Sequence, residues 1–548
     1  MVFFFLKVLV TVTFYIILGK LTVSKILKYK EVSFIDTSII GIISASFIAL
    51  IVNFFFPLNQ INNSIFLILI FLFFLFLKFK FQKIEYLFIL LASILSFAII
   101  LFDNEYRPDA GLYHLPYTQI LNDYNIFLGL INLHTRFGHI SIIQYLSAFN
   151  LNIITEQIGI IIPISIIFSF IYIYFLYDIQ KLLKKKEKFS IGKIFSLFIL
   201  IYITYKINRY SEFGNDAPAH LLFFYLISKI LYLKKNSFEN LHKIYLYSAY
   251  LFLNKIFFIF IFIFPFYLLL QKKKFFLNIA KSIPTIFIFS WILKNLLVSG
   301  CLFFPIKISC FESLKWTNLN LIESANIEAD AWAKAWPQNL DINISMKEFT
   351  KNFRWVEAWM SVHFRYIVKI LLPYILFMIL ILFYILNTNK KTSDNLIKDD
   401  KLILLILLST VGLISFFLKF PVYRYGYSYL ILSIFMTFFW SFKFINKDKF
   451  LKICRLILPL SLIIITSKQL IRYKNNYNTK SYIPNHILID KSKFNKKYSK
   501  SYLSDKLIIY YSKNECFYGL SPCTNYKYDF SKKSLKYEKK FIFNIIYL

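Results

Sequence analysis

The sequence predicts an all-α polytopic membrane protein. Three observations carry that reading: apolar runs of spanning length recur along the 548 residues, basic residues cluster in short stretches between them, and only 29 residues are acidic. A soluble core of this size would alternate apolar and polar positions, because each element must also show a face to water. A hydrocarbon layer of about 30 Å asks instead for about 20 consecutive apolar residues.

The runs read as about 12–14 spans, roughly 2–18, 36–56, 63–79, 84–102, 155–177, 190–205, 217–233, 244–270, 276–298, 366–386, 402–419, 426–443 and 450–467. The first has no small-residue cleavage site after it and reads as a retained span rather than a signal peptide. The net charge of +35 raises the question of nucleic acid, but that partner needs cations gathered on a water-exposed face with stacking aromatics. Here much of the Lys lies in loops between spans, as cytoplasmic membrane loops require, so the expected partner is the bilayer and not nucleic acid.

The basic clusters set the topology. They are Lys20/Lys25/Lys28/Lys30, Lys78/Lys80/Lys83, Lys181 to Lys188, Lys234/Lys235, Lys272 to Lys274, Lys390/Lys391 and Lys447/Lys449. All can share the cytoplasmic side only if 244–270 returns to the side it came from. Asn254 and Lys255 interrupt that stretch, which reads as two short segments forming a hairpin; the alternative is one span with a snorkelling lysine. The outer loops are then 103–137, 206–216, 299–365 and 420–425, followed by the polar tail 468–548.

The cysteines test this arrangement independently. Cys301 and Cys310, and Cys516 and Cys523, each fall in a segment assigned outside, where disulfides persist. Two local bridges are expected, with Cys454 unpaired in a span. Neither pair has C-x-x-C spacing, which speaks against metal binding.

The first large outer loop concentrates Asp103, Glu105, Asp109, His114, Asp123, His134, Arg136 and His139 beside a span end. A carboxylate there can take a proton from an acceptor hydroxyl while a lipid-anchored donor approaches through the membrane. Nearby cations would steady a departing phosphate.

The order of a span, D-x-G-L-Y-H-L-P (109–116) and G-L-x-N-L-H-x-R-x-G (129–138) resembles a bacterial family of membrane proteins similar to the GT-C glycosyltransferases. The resemblance continues through S-G-C-L-F-F-P-I (299–306), W-A-K-A-W (332–336), F-P-V-Y-R-Y-G (420–426) and C-F-Y-G-L-S-P-C-T (516–524). It implies a GT-C-like transmembrane domain over 1–467 and a small extracytoplasmic tail over 468–548. It also implies a cytoplasmic (inner) membrane location with the working loops on the periplasmic side. In GT-C enzymes an acidic residue of the first outer loop serves as base, and polyprenyl-phosphate sugars are common donors. By position that base is Asp109, with Asp103 and Glu105 as rivals because the familiar D-x-D or E-D forms are not clean here.

Each candidate has a structural counterpart. Asp109 would also suit a helix N-cap. His114 and His134 are substrate-binding candidates, and His114 also reads as a hydrogen-bonded packing residue. Arg136 and Arg424 are phosphate-clamp candidates because a guanidinium matches phosphate geometry; otherwise they pair with loop carboxylates or lipid head groups. Asp216 in GNDAPAH reads as an N-cap, or as a second carboxylate for substrate or for a metal. Lys255, within an apolar stretch, calls for a partner, either a donor phosphate or a carbonyl. Trp332/Trp336 and Trp355/Trp359 have i,i+4 spacing, which would place each pair on one helix face. Such faces suit the membrane interface or, for Trp332 and Trp336, sugar stacking.

The resemblance implies a GT-C-like membrane glycosyltransferase that moves a sugar from a polyprenyl-phosphate donor to an envelope glycan, lipid or protein, and these residues suit that role. No metal cofactor is indicated, since lysines and arginines can neutralise the departing charge. The alternatives are a surface-polysaccharide polymerase or ligase, a lipid or oligosaccharide transporter, and a non-catalytic assembly component. Few intramembrane charges and no internal repeat speak against transport.

Overall fold

A computed structural model describes residues 1–30, 32–103, 108–206, 214, 216–233, 237–272, 275–338, 343–386, 400–477, 498–504, 507–525 and 535–548. The first quarter holds α1 (Val2–Leu21), α2 (Phe34–Phe55), α3 (Gln60–Phe76), α4 (Lys83–Ile100), α5 (Leu115–Asp123) and α6 (Ile142–Phe149). Then come α7 (Ile162–Leu183), α8 (Ile191–Lys206), α9 (Asp216–Leu231), α10 (Phe238–Asn254), α11 (Ile263–Gln271), α12 (Phe276–Ala280) and α13 (Ile283–Ser299). After a loop follow α14 (Leu319–Ala333), α15 (Met346–Phe349), α16 (Val356–Trp359), α17 (Arg365–Ile385), α18 (Asp400–Lys419), α19 (Tyr423–Thr437) and α20 (Lys447–Asn476).

The chain is built as a multi-pass membrane protein. Among the described residues seven helical stretches are long and apolar enough to cross a membrane: Val2–Leu27, Phe34–Phe55, Lys83–Ile100, Glu156–Leu183, Val356–Ile385, Lys401–Lys419 and Lys447–Asn476. Gln60–Phe76, Ile256–Gln271 and Ile283–Ser299 are apolar but shorter. The remaining expected spans thus resolve into short helices; α8 and α9, of 16 residues each, rise about 24 Å. Their residues are almost all buried among other helices rather than turned to lipid.

Helix starts follow local chemistry. The Ser33 hydroxyl accepts from Asp36 N, the Asn59 side chain from Asn62 N and the Ser237 hydroxyl from Asn240 N, each satisfying a donor the helix leaves open. α1 and α2 meet through glycines. A Cβ on Gly19 would lie 1.9 Å from the Thr37 carbonyl oxygen, and one on Gly41 1.8 Å from that of Tyr15. Backbones approach this closely only where both side chains are absent.

Among the described residues the basic loops at 20–30 and 78–83 meet the chain around Leu233, Glu239 and Lys401 at one end of the bundle; Lys234, Lys235, Lys273, Lys274, Lys390 and Lys391 lie outside the described residues. Lys20 Nζ donates to the Lys80 carbonyl at 3.1 Å and pairs with Glu85 at 2.7 Å. Lys30 N donates to Glu239 Oε2 at 3.3 Å, Tyr29 bonds His242, and Lys401 bonds the Leu233 carbonyl. The stretch broken at Lys255 is a hairpin: the Phe238 and Phe275 rings at its two ends are 5.4 Å apart. Lys255 itself is extended, with φ −155° and ψ 114°, and its backbone separates α10 from the turn that leads into α11.

At the opposite end lie the described parts of the first loop, of the 300–364 segment and of the tail; most of the expected outer loop 206–216 is outside the described residues. The helix expected to end near 467 continues to Asn476. The tail forms β2 (Tyr498–Ser504), β3 (Leu507–Ser512), β4 (Cys523–Thr524), β5 (Lys536–Lys540) and β6 (Phe543–Tyr547), and β6 pairs in parallel with β1 (Phe127–Leu128) of the first loop. Disulfides Cys301–Cys310 and Cys516–Cys523 are both formed at this end, and Cys454 is buried and free.

Candidate functional site

The tip of the α10–α11 hairpin faces the first loop across a cavity of about 190 Å³. Tyr113, His114, Arg136 and His139 line it from the first loop, Asn254 and Lys255 from the hairpin, and Trp291 and Asn295 from α13. Phe303 and Phe304 of the Cys301–Cys310 loop, Phe420 of the α18–α19 connection and Tyr425 in the first turn of α19 close it.

Two ion pairs join these walls. Arg424 Nη1 donates to Asp109 Oδ2 at 2.6 Å, and Lys255 Nζ to Asp216 Oδ1 at 2.5 Å. The Tyr425 ring binds the pairs together. Arg424 Nη2 donates to its hydroxyl at 3.0 Å, and Lys255 Nζ stands 4.4 Å from the ring centroid. Asp109 makes no capping hydrogen bond to the helical turn it precedes, so its carboxylate is committed to Arg424 instead.

His114 is held by a chain of assigned hydrogen bonds. Gln144 Oε1 accepts from Ser141 N at 3.1 Å in a capping box, which turns its amide nitrogen toward His114 Nδ1 at 3.0 Å. Nδ1 therefore accepts, and the proton of the neutral ring sits on Nε2. Burial lowers this imidazole to a pKa of about 4 against the opposing pull of Asp109 and Asp216, so it is neutral near pH 7.

The first loop is itself pinned by the tail. Cys516 N and Phe517 N both donate to the Gly111 carbonyl, at 3.1 and 2.9 Å. A Cβ on Gly111 would meet Phe517 Cε1 at 2.7 Å and Glu515 Cβ at 2.9 Å, so this clamp requires glycine.

His114, Arg136 and Lys255 thus line one cavity, and Asp216, Arg424 and Asp109 stand behind it through their contacts with Lys255, Tyr425 and one another; Arg136 has Nη2 3.6 Å from Glu328 Oε1. Other candidates lie elsewhere. Asp103 is buried beyond the end of α4, 4.0 Å from Arg472, whose guanidinium also bonds the carbonyls of Ala98, Ile99 and Leu101. His134 joins Asn525 at 2.9 Å and caps the turn Thr135–His139 by accepting from Arg136 N. Burial lowers it too, to about 4. Glu105 lies outside the described residues.

Trp332 and Trp336 do not share a helix face. α14 ends at Ala333, and Ala335 turns the chain with φ 68°, leaving Trp332 half-exposed while Trp336 packs on Phe349. Trp355 and Trp359 are buried against Phe417. Sequence reasoning missed Trp291, Asn295 and Lys294 on α13. Lys294 carried a signal, as a lone cation in an apolar run.

The model of one family, described as a domain of unknown function (DUF8201), matches residues 1–431. The chain belongs to the DUF8201 family. That match contains every residue lining the cavity, from Tyr113 to Tyr425, and stops before the tail that holds Gly111. No curated protein and no solved structure matches the chain.

Proposed function

We propose that this DUF8201 protein is a GT-C-like glycosyltransferase of the bacterial cytoplasmic membrane, acting on the periplasmic side. It would move a sugar from a polyprenyl phosphate to an envelope glycan, lipid or protein. One observation carries the reading: the first-loop carboxylate of Asp109 meets the guanidinium of Arg424 beside a cavity, at the bundle end opposite the basic loops.

In this mechanism the donor phosphate takes Arg424 and frees Asp109. The acceptor oxygen attacks the anomeric carbon as the bond from that carbon to the phosphate oxygen breaks. Asp109 receives the hydroxyl proton and polyprenyl phosphate leaves with the electron pair. Asp216 and Lys255 hold the second wall, and neutral His114 can offer its Nε2 proton as a hydrogen bond to a sugar hydroxyl.

The test is Asp109→Asn, with product measured per unit of membrane-inserted protein. Loss of transfer of order 10²-fold or more with normal insertion is expected. Near wild-type product would remove Asp109 as base.

A further inference from the structure

The charges around the cavity do not balance evenly. Arg424 is matched by Asp109 and Lys255 by Asp216, each in direct contact. Arg136 faces Glu328 at 3.6 Å, and both side chains are partly open to solvent. Among the described residues one cation near the cavity is left over. Lys294 of α13 is fully buried, and among the described residues its Nζ has no hydrogen-bond partner.

Its surroundings place it behind the cavity wall. Nζ lies 3.7 Å from the centroid of the Trp291 ring, and Trp291 and Asn295, on either side of it in α13, both line the cavity. Lys294 and Arg136 both act electrostatically on His139, which faces the same space. A buried ammonium held only against an aromatic face is costly, and the usual remedy is a counter-ion. A charge in such low-dielectric surroundings also acts over longer distances than one in water.

We propose that the α13 wall of the cavity is the seat of an anionic group, a phosphate, and that Lys294 supplies the counter-charge. This rests on the reading of the cavity as a lipid-phosphate site, and it adds Arg136, His139 and Lys294 to Arg424 as the groups that surround the phosphate. Lys294 acts as a positioning residue, through space and through the Trp291 ring.

The experiment uses the full chain in nanodiscs of phosphatidylcholine and reads thermal unfolding with three probes: farnesyl phosphate, inorganic phosphate and farnesol. Wild type is expected to be stabilised by farnesyl phosphate and not by farnesol. A response to inorganic phosphate as well would show that the phosphate group alone is recognised, and its absence that the lipid chain is needed; either agrees with the proposal provided the response depends on Lys294. Lys294→Met should unfold at a higher temperature than wild type without ligand, because a lone buried charge is gone. Its apparent affinity for the phosphate probe should fall at least about tenfold, as for loss of one nearby charge acting through low-dielectric surroundings. Lys294→Arg should retain the response.

A Lys294→Met protein that keeps the full response overturns the inference and leaves the glycosyltransferase reading in place. One that is less stable than wild type without ligand also overturns it, since it reports that Lys294 already has a partner. Wild type that responds to neither phosphate probe removes the lipid-phosphate reading and this inference together.

Discussion

Asp109 and Arg424 are 315 positions apart in the chain, yet their side chains meet at 2.6 Å. The contact joins the first outer loop to the start of α19, and each side chain is about one third exposed, at 36% and 37%. A pair this open to solvent contributes at most about 1 kcal/mol to stability. Removing it therefore separates chemistry from folding. Asp109→Asn and Arg424→Gln should each cut transfer about 100-fold with little change in thermal unfolding, and the double variant should be no worse than the poorer single one. Additive losses would show that the two act independently.

The clamp on Gly111 predicts a second effect. Gly111→Ala would push Phe517 and Glu515 away and release the segment that carries Asp109. Activity should fall while the transmembrane helices stay folded. Replacing Cys516 and Cys523 by serine should do the same and cost about 2–3 kcal/mol from the opened loop. Normal transfer by both proteins would mean that the tail does not position Asp109.

Stability should fall on mild acidification. His114 and His134 are lowered from 6.5 to about 4 in the folded protein. Below pH 6.5 the unfolded chain therefore binds protons that the folded one refuses. The stability these rings contribute is complete above pH 6.5 and is lost as pH falls toward 4, by roughly 3 kcal/mol for each ring at the limit. Unfolding temperatures of wild type and of His114→Gln between pH 7.5 and 5.5 check this. The variant should show the shallower dependence, and parallel curves would refute it.

The hairpin at Lys255 makes a topological prediction. A reporter active only outside the cytoplasm should fail after Lys186, after Ser237 and after Gln271, and should work after Leu548. Activity after Gln271 but not after Ser237 would mean that the chain crosses once there instead of returning.

Asp103 and Trp336 show what the sequence left open. Asp103 lies six residues before Asp109 and is equally acidic, but it stays near the end of α4 close to Arg472 while Asp109 meets Arg424 beside the cavity. Trp332 and Trp336 have the spacing of a shared helix face, and the chain turns between them at Ala335. What the sequence determined by itself was local or cumulative: apolar runs long enough to need lipid, lysine clusters that mark one end, a polar break at Asn254 and Lys255, and cysteine pairs close enough to bridge. Each depends on neighbouring residues or on the partition of whole segments between water and hydrocarbon. The tertiary structure alone decided which carboxylates meet which cations, and that among the described residues Lys294 is left without one. Those contacts join residues tens to hundreds of positions apart, and a side chain's worth there depends on burial and on its partner's position, neither of which is carried by the identity of the residue.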